Sequence, residues 1–159
     1  MEQNFNASID KVFSLPTNPK WLEERSLVLG ELSAKVKKKQ SAKALSLSML
    51  RRVKRELPAL ITTLLPSESD IQFEESWMHD PKGGYQGLLT MEIVGQPVKM
   101  QAKFALTATG RGCRYRIEHR TKCGIPLVGG MVAQFAQGRI EQGCADEPAY
   151  LAAQLKKSR

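Results

Sequence analysis

No apolar run in this chain is long enough to cross a bilayer. The opening residues, MEQNFNASIDK, have neither a basic start nor an apolar stretch, so no secretory signal is expected and the expected compartment is the cytoplasm. Cysteine is scarce and odd in number: Cys113, Cys123 and Cys144. Cys113 and Cys123 would sit on one strand roughly 33 Å apart at the usual rise, beyond disulfide reach. Free thiols are the expectation. Histidine is scarcer still, with only His79 and His119. His119 and Cys123 share a strand face but lie about 13 Å apart along it, whereas zinc ligands sit near 2 Å from the metal. No metal site is expected. The chain also has no GxGxxG or P-loop pattern; the glycines of TGRGC belong to a hairpin turn and do not precede a helix. Internal repeats and low-complexity tracts are missing as well.

What remains is an ordinary globular composition, 42% hydrophobic and 25% charged over 159 residues, which suits one domain spanning 1–159 with one core. The net charge of +8 points to an anionic partner, nucleic acid or lipid, or to a plain solvated basic surface. The densest basic clusters are AKVKKKQSAK and RRVKRE. On a strand, Lys35, Lys37 and Lys39 would face water together. No aromatic residue interleaves with them, so a stacking platform for nucleic acid is not expected. An anionic lipid surface or an acidic protein remains the secondary partner.

Ser8 can cap a short helix with Ile9, Val12 and Phe13 on one face. Pro16 ends it, and Pro19 can open a second short helix carrying Trp21 and Leu22. Strands follow: Leu32, Ala34 and Val36 alternate with Glu31, Ser33, Lys35 and Lys37, and Leu45, Leu47 and Met49 alternate with Ser46 and Ser48. ELPALITTLLP reads as a helical turn or an irregular segment. Three further strands span Asp70–Asp80, Tyr85–Val94 and Pro97–Ala108, joined by DPKGG, VGQP and TGRG. In residues 113–123, Cys113, Tyr115, Ile117, His119, Thr121 and Cys123 alternate with Arg114, Arg116, Glu118, Arg120 and Lys122. After Gly124 and Pro126, a helical stripe runs through Leu127, Val128, Met131, Val132, Phe135, Ile140, Tyr150, Leu151 and Leu155.

Tight joins fix the register. Glu75, Leu89, Ala102 and His119 form one inward row. Trp77, Gly87, Phe104 and Ile117 form the next. Phe73, Met91, Met100 and Thr121 flank on one side, and Tyr85, Leu106 and Tyr115 on the other. Gly87 would leave room for the rings of Trp77 and Phe104. Glu75 and His119 would be about 14 Å apart in a flat sheet, and nearer if the sheet curves.

EESW before a hairpin, with CGIPLVGGMVAQFAQGRI opening the last helix, resembles a bacterial family known only as domain of unknown function 2505. That family resembles a branch of the START-like superfamily, also called SRPBCC or helix-grip. The resemblance implies an α+β helix-grip fold: a curved antiparallel sheet wrapped on a long C-terminal helix, with two short helices after the first strand and a cavity between sheet and helix. Relatives in the superfamily bind lipids, sterols and polyketides, and some catalyse cyclisation or hydration. No cofactor and no catalytic residue is implied. Gly138, Gly143 and Pro148 depart from the family's unbroken last helix and predict a bend after about Cys144, or a restart capped by Asp146. Gly129 and Gly130 would let the first helical turn approach the strands, or leave space for a ligand.

The expected function is binding of a small hydrophobic or lipid-like ligand. The candidate site comprises Glu75, Trp77, Leu89, Met91, Met100, Phe104, Tyr115, Ile117, His119, Thr121, Val132 and Phe135. The alternatives are a cyclase- or hydratase-like enzyme using Glu75 or His119, and an interaction or membrane-surface module with a filled core.

Overall fold

A computed structural model describes residues 1–63, 66–123 and 129–157. Strand β1 (Glu2–Phe5) leads into α1 (Ile9–Ser14) and α2 (Pro19–Val28). Six strands follow: β2 (Ser33–Gln40), β3 (Leu45–Lys54), β4 (Glu68–His79), β5 (Tyr85–Ile93), β6 (Val98–Thr109) and β7 (Gly112–Cys123). A short helix, α3 (Ala59–Thr62), lies between β3 and β4, and α4 (Gly129–Lys157) closes the chain. The strands form one antiparallel, curved seven-stranded sheet in the order β1-β7-β6-β5-β4-β3-β2. This is an α+β, helix-grip-like fold.

Local chemistry explains the early helices. Ser8 Oγ accepts the Lys11 N–H at 3.3 Å, and Asn18 Oδ1 accepts the Trp21 N–H at 3.2 Å ahead of Pro19. The ELPALITTLLP segment contributes the single turn of α3.

The four inward rows read from the sequence are the rows of the sheet. Glu75 pairs with Leu89, Leu89 with Ala102, and Ala102 with His119. Trp77, Gly87, Phe104 and Ile117 are likewise in register. On β7, Cys113, Tyr115 and Ile117 are buried while Arg114, Arg116, Glu118 and Arg120 are exposed. Trp77 is fully buried, with Phe13 edge-on at 5.4 Å between ring centroids and Phe104 stacked at 5.2 Å. A second, smaller cluster gathers Ile61, Val98 and Val132 under the first half of α4.

Three expectations need correction. Helix α4 is continuous through Gly138, Gly143 and Pro148, so it does not restart at Asp146. Met131 is 43% exposed and lies off the buried stripe. Gly130 is not a close-packing site: a Cβ there would meet nothing within 4 Å among the described residues. The Gly124–Pro126 turn and the stripe residues Leu127 and Val128 lie outside the described residues.

Gly87 shows how tightly the sheet face is filled. An added Cβ would lie 2.9 Å from the Trp77 ring and 3.1 Å from Phe104. Gly87→Val should therefore cost about 1–3 kcal/mol through overpacking. A lowered urea midpoint with unchanged slope would bear this out, whereas an unchanged midpoint would show that the rings have room to move.

Candidate functional site

Between the inward face of the sheet and α4 lies a cavity of about 230 Å³. Alternation along the strands builds its apolar walls. Trp77, Leu89, Met91, Met100, Ala102, Phe104, Tyr115 and Ile117 all come from inward positions of β4 to β7. Val132, Phe135, Ile140 and Leu151 of α4 cover them, and Trp21 and Leu22 of α2 add a side wall. Exposed Pro66, Ser67 and Arg139 mark where the lining reaches solvent.

Of the candidate site residues, Glu75, Trp77, Leu89, Met91, Met100, Phe104, Tyr115, Ile117, Val132 and Phe135 line this cavity. His119 and Thr121 are not part of the lining. His119 is half-buried at the end of the row that begins with Glu75. Thr121 Oγ1 is buried without a hydrogen-bond partner among the described residues. The cavity therefore does not bring Glu75 and His119 together across a common hollow.

The polar part of the lining is built from residues that the sequence reading did not select. Arg25 of α2 and Arg51 of β3 both reach Glu147 of α4, at 3.1 Å and 2.9 Å, one on each carboxylate oxygen. Arg51 also lies over the Phe73 ring, 4.5 Å from its centroid, and Arg25 lies 5.4 Å from the centroid of Trp21. A signal existed for each. Arg51 occupies the inward parity of Leu45, Leu47, Met49 and Val53. Arg25 follows Trp21 and Leu22 at helical spacing, and Glu147 falls between Cys144 and Leu151 on the buried stripe.

Glu75 Oε2 accepts the indole N–H of Trp77 at 3.1 Å. Burial raises its carboxyl above the usual glutamate range, against the opposing pull of that hydrogen bond and of Arg25. Burial also pushes on Glu147, but Arg25 and Arg51 together outweigh it and hold that carboxyl low. Tyr115 is driven well above the ordinary phenol value by burial, so it stays neutral. Burial likewise moves the Cys144 thiol to about 11, which keeps it protonated and unreactive. The arrangement can bury an apolar body and present charged and neutral hydrogen-bonding groups to a polar end.

Lys35, Lys37 and Lys39 are exposed on edge strand β2, away from this lining. No helix among the described residues is long and apolar enough to cross a membrane.

A family model described as protein of unknown function, DUF2505, matches residues 1–155. No curated protein matches the chain. Among solved structures, a Thermus thermophilus protein, TTHA0849, superposes with a TM-score of 0.67 at 14% identity, over 99% of this chain and 96% of that one. An uncharacterised protein from Rhizobium leguminosarum superposes with a TM-score of 0.62 at 12% identity, over 99% of this chain and 92% of that one. At such identities the likeness establishes the fold.

The two carboxyls have opposite linkage to stability. Glu75, with its native value raised, contributes stability below the ordinary glutamate range that is lost as pH rises through the native value. Glu147, with its native value lowered, contributes stability above that range that is lost as pH falls through its native value. Glu75→Gln should therefore stabilise the protein on the alkaline side and flatten the decline there. Glu147→Gln should cost about 3 kcal/mol near neutral pH by leaving two buried guanidiniums without their carboxylate. Urea unfolding across a pH series reads both; a Glu75→Gln profile that falls with rising pH as steeply as the parent's would contradict the first.

Proposed function

The chain belongs to the DUF2505 family of proteins of unknown function, and on that premise we propose that it binds a small, largely apolar molecule between the sheet and α4. The cavity carries this reading. Its walls are mainly apolar side chains from α2, α4 and the strands β3 to β7, and among them Glu75, Arg25, Arg51 and Glu147 supply a confined polar region. A few polar groups set in an apolar hollow is the usual make-up of a small-molecule site. We read the family as a branch of the START-like superfamily, in which the hollow under the last helix serves as the binding chamber.

The dimensions suit a short acyl chain or one to two rings. Burying eight methylenes is worth about 6 kcal/mol gross, at about 0.8 each. Association entropy consumes several of these, so affinities in the micromolar to millimolar range are expected for a plain hydrocarbon tail.

A second feature bears on where the ligand is exchanged. Leu27 and Val28 at the end of α2, and Leu29 and Leu32 in the join to β2, are exposed just ahead of Lys35, Lys37 and Lys39. Apolar residues beside a basic strand suit an anionic lipid surface, each lysine contributing about 1 kcal/mol there. Co-sedimentation with phosphatidylglycerol vesicles should exceed that with phosphatidylcholine, and Lys→Ala at positions 35, 37 and 39 should erase the difference. Equal binding to both vesicles would end that part of the reading.

For the cavity itself, calorimetric titration with octanol should show saturable binding. Ala102→Phe, which places a ring in the hollow, should weaken that binding at least about tenfold while leaving the protein folded. Absence of octanol binding, together with absence of any retained small molecule in native mass spectra of the protein purified from its host, would overturn the proposal.

A further inference from the structure

The cavity lining is unbalanced in charge. Four arginines contribute to it, Arg25, Arg51, Arg55 and Arg139, against three carboxyls, Glu31, Glu75 and Glu147. Arg55 and Glu31 are paired at 2.7 Å, and Arg139 is exposed. That leaves Arg25 and Arg51, only 5% and 7% exposed, with two carboxyls: Glu147, which both arginines contact, and Glu75, which forms no ion pair with either among the described residues.

Neither guanidinium is fully satisfied. Arg25 Nε is buried with no hydrogen-bond partner among the described residues. Arg51 Nε donates to the thioether sulfur of Met49 at 3.3 Å, a weak acceptor. The other nearby carboxyl, Glu75, is turned to the Trp77 indole, and burial favours its neutral form. A buried cation without its full complement of negative charge is expensive, so the folded protein gains most from a ligand that brings an anion. The planar fork of arginine matches a carboxylate. The surrounding wall is aliphatic and aromatic, which suits a single small anionic group on an apolar body rather than a multiply charged, strongly hydrated one.

We propose that the ligand is an apolar carboxylic acid whose carboxylate docks on Arg25 and Arg51 while its hydrocarbon part fills the space beneath Val132 and Phe135. This rests on the cavity being a binding chamber, as proposed above.

The test compares octanoate, octanol and octylamine by calorimetry at neutral pH. Octanoate should bind at least about tenfold tighter than octanol, the scale of one or two charge-assisted hydrogen bonds, and octylamine should bind weakest. Arg25→Gln and Arg51→Gln should each erase the advantage of octanoate, bringing its affinity to that of octanol measured on the same variant. Should either variant fail to fold, carboxyl-¹³C octanoate bound to the unaltered protein reads the same contact. Its pKa should fall below the free acid's, and an unshifted or raised value would overturn the inference. Octanol binding as well as octanoate would also overturn it while leaving the chamber intact; failure of all three to bind would remove both readings.

Discussion

Side-chain alternation along β7 is the constraint on which the rest of the structure depends. A strand shows its odd and even residues to opposite faces. Tyr115 and Ile117 can be buried only because Arg114, Arg116, Glu118 and Arg120 are simultaneously placed in water. A slip of one residue would reverse every assignment and drive arginines under α4. Antiparallel pairing then copies this choice across the sheet through Phe104, Gly87 and Trp77, so the register of one strand sets the lining of the whole hollow.

Helix α4 must cover that face, yet its sequence is poor for a helix. Gly138 and Gly143 cost about 1 kcal/mol each in a helix interior, and Pro148 about 3. Burial of Val132, Leu151 and Leu155 returns about 1.5–3 kcal/mol apiece. Tertiary packing therefore carries this helix across its own weak points, which is the usual source of helix stability in proteins. Pro148 is itself buried and contributes to the cavity lining, so part of its cost is recovered as contact.

That balance also marks how far the sequence could be read. Period-two alternation and short Gly-rich joins are local signals, and from them the strands, their register and the role of Gly87 were all legible. The apolar wall followed from the same parity. The polar region did not, because its members are remote in sequence: Arg25, Arg51 and Glu147 meet only when α2, β3 and α4 are assembled. Arg51 on an inward parity was a visible anomaly, but its partner could not be named from spacing. His119 and Thr121 share the inward parity of β7 yet fall outside the lining, since parity fixes a face and not a position along it. Pro148 misled for a related reason: propensity is local, and the contacts that override it are not.

Gly143 joins these threads. It is part of the lining, and a Cβ added there would meet nothing within 4 Å among the described residues. Close approach to a neighbour therefore does not account for it, and no positive φ requires it. It spends helix stability and leaves empty volume one residue before Cys144 and four before Glu147. On the same side of the hollow, one carboxylate answers two buried guanidiniums. A fold selected for stability alone would fill that volume and balance that charge with an apolar side chain and a second acid. Retaining both the space and the charge lowers the stability of the empty protein, and the two deficits are of a kind that one molecule, apolar along its length and anionic at its end, would remove together.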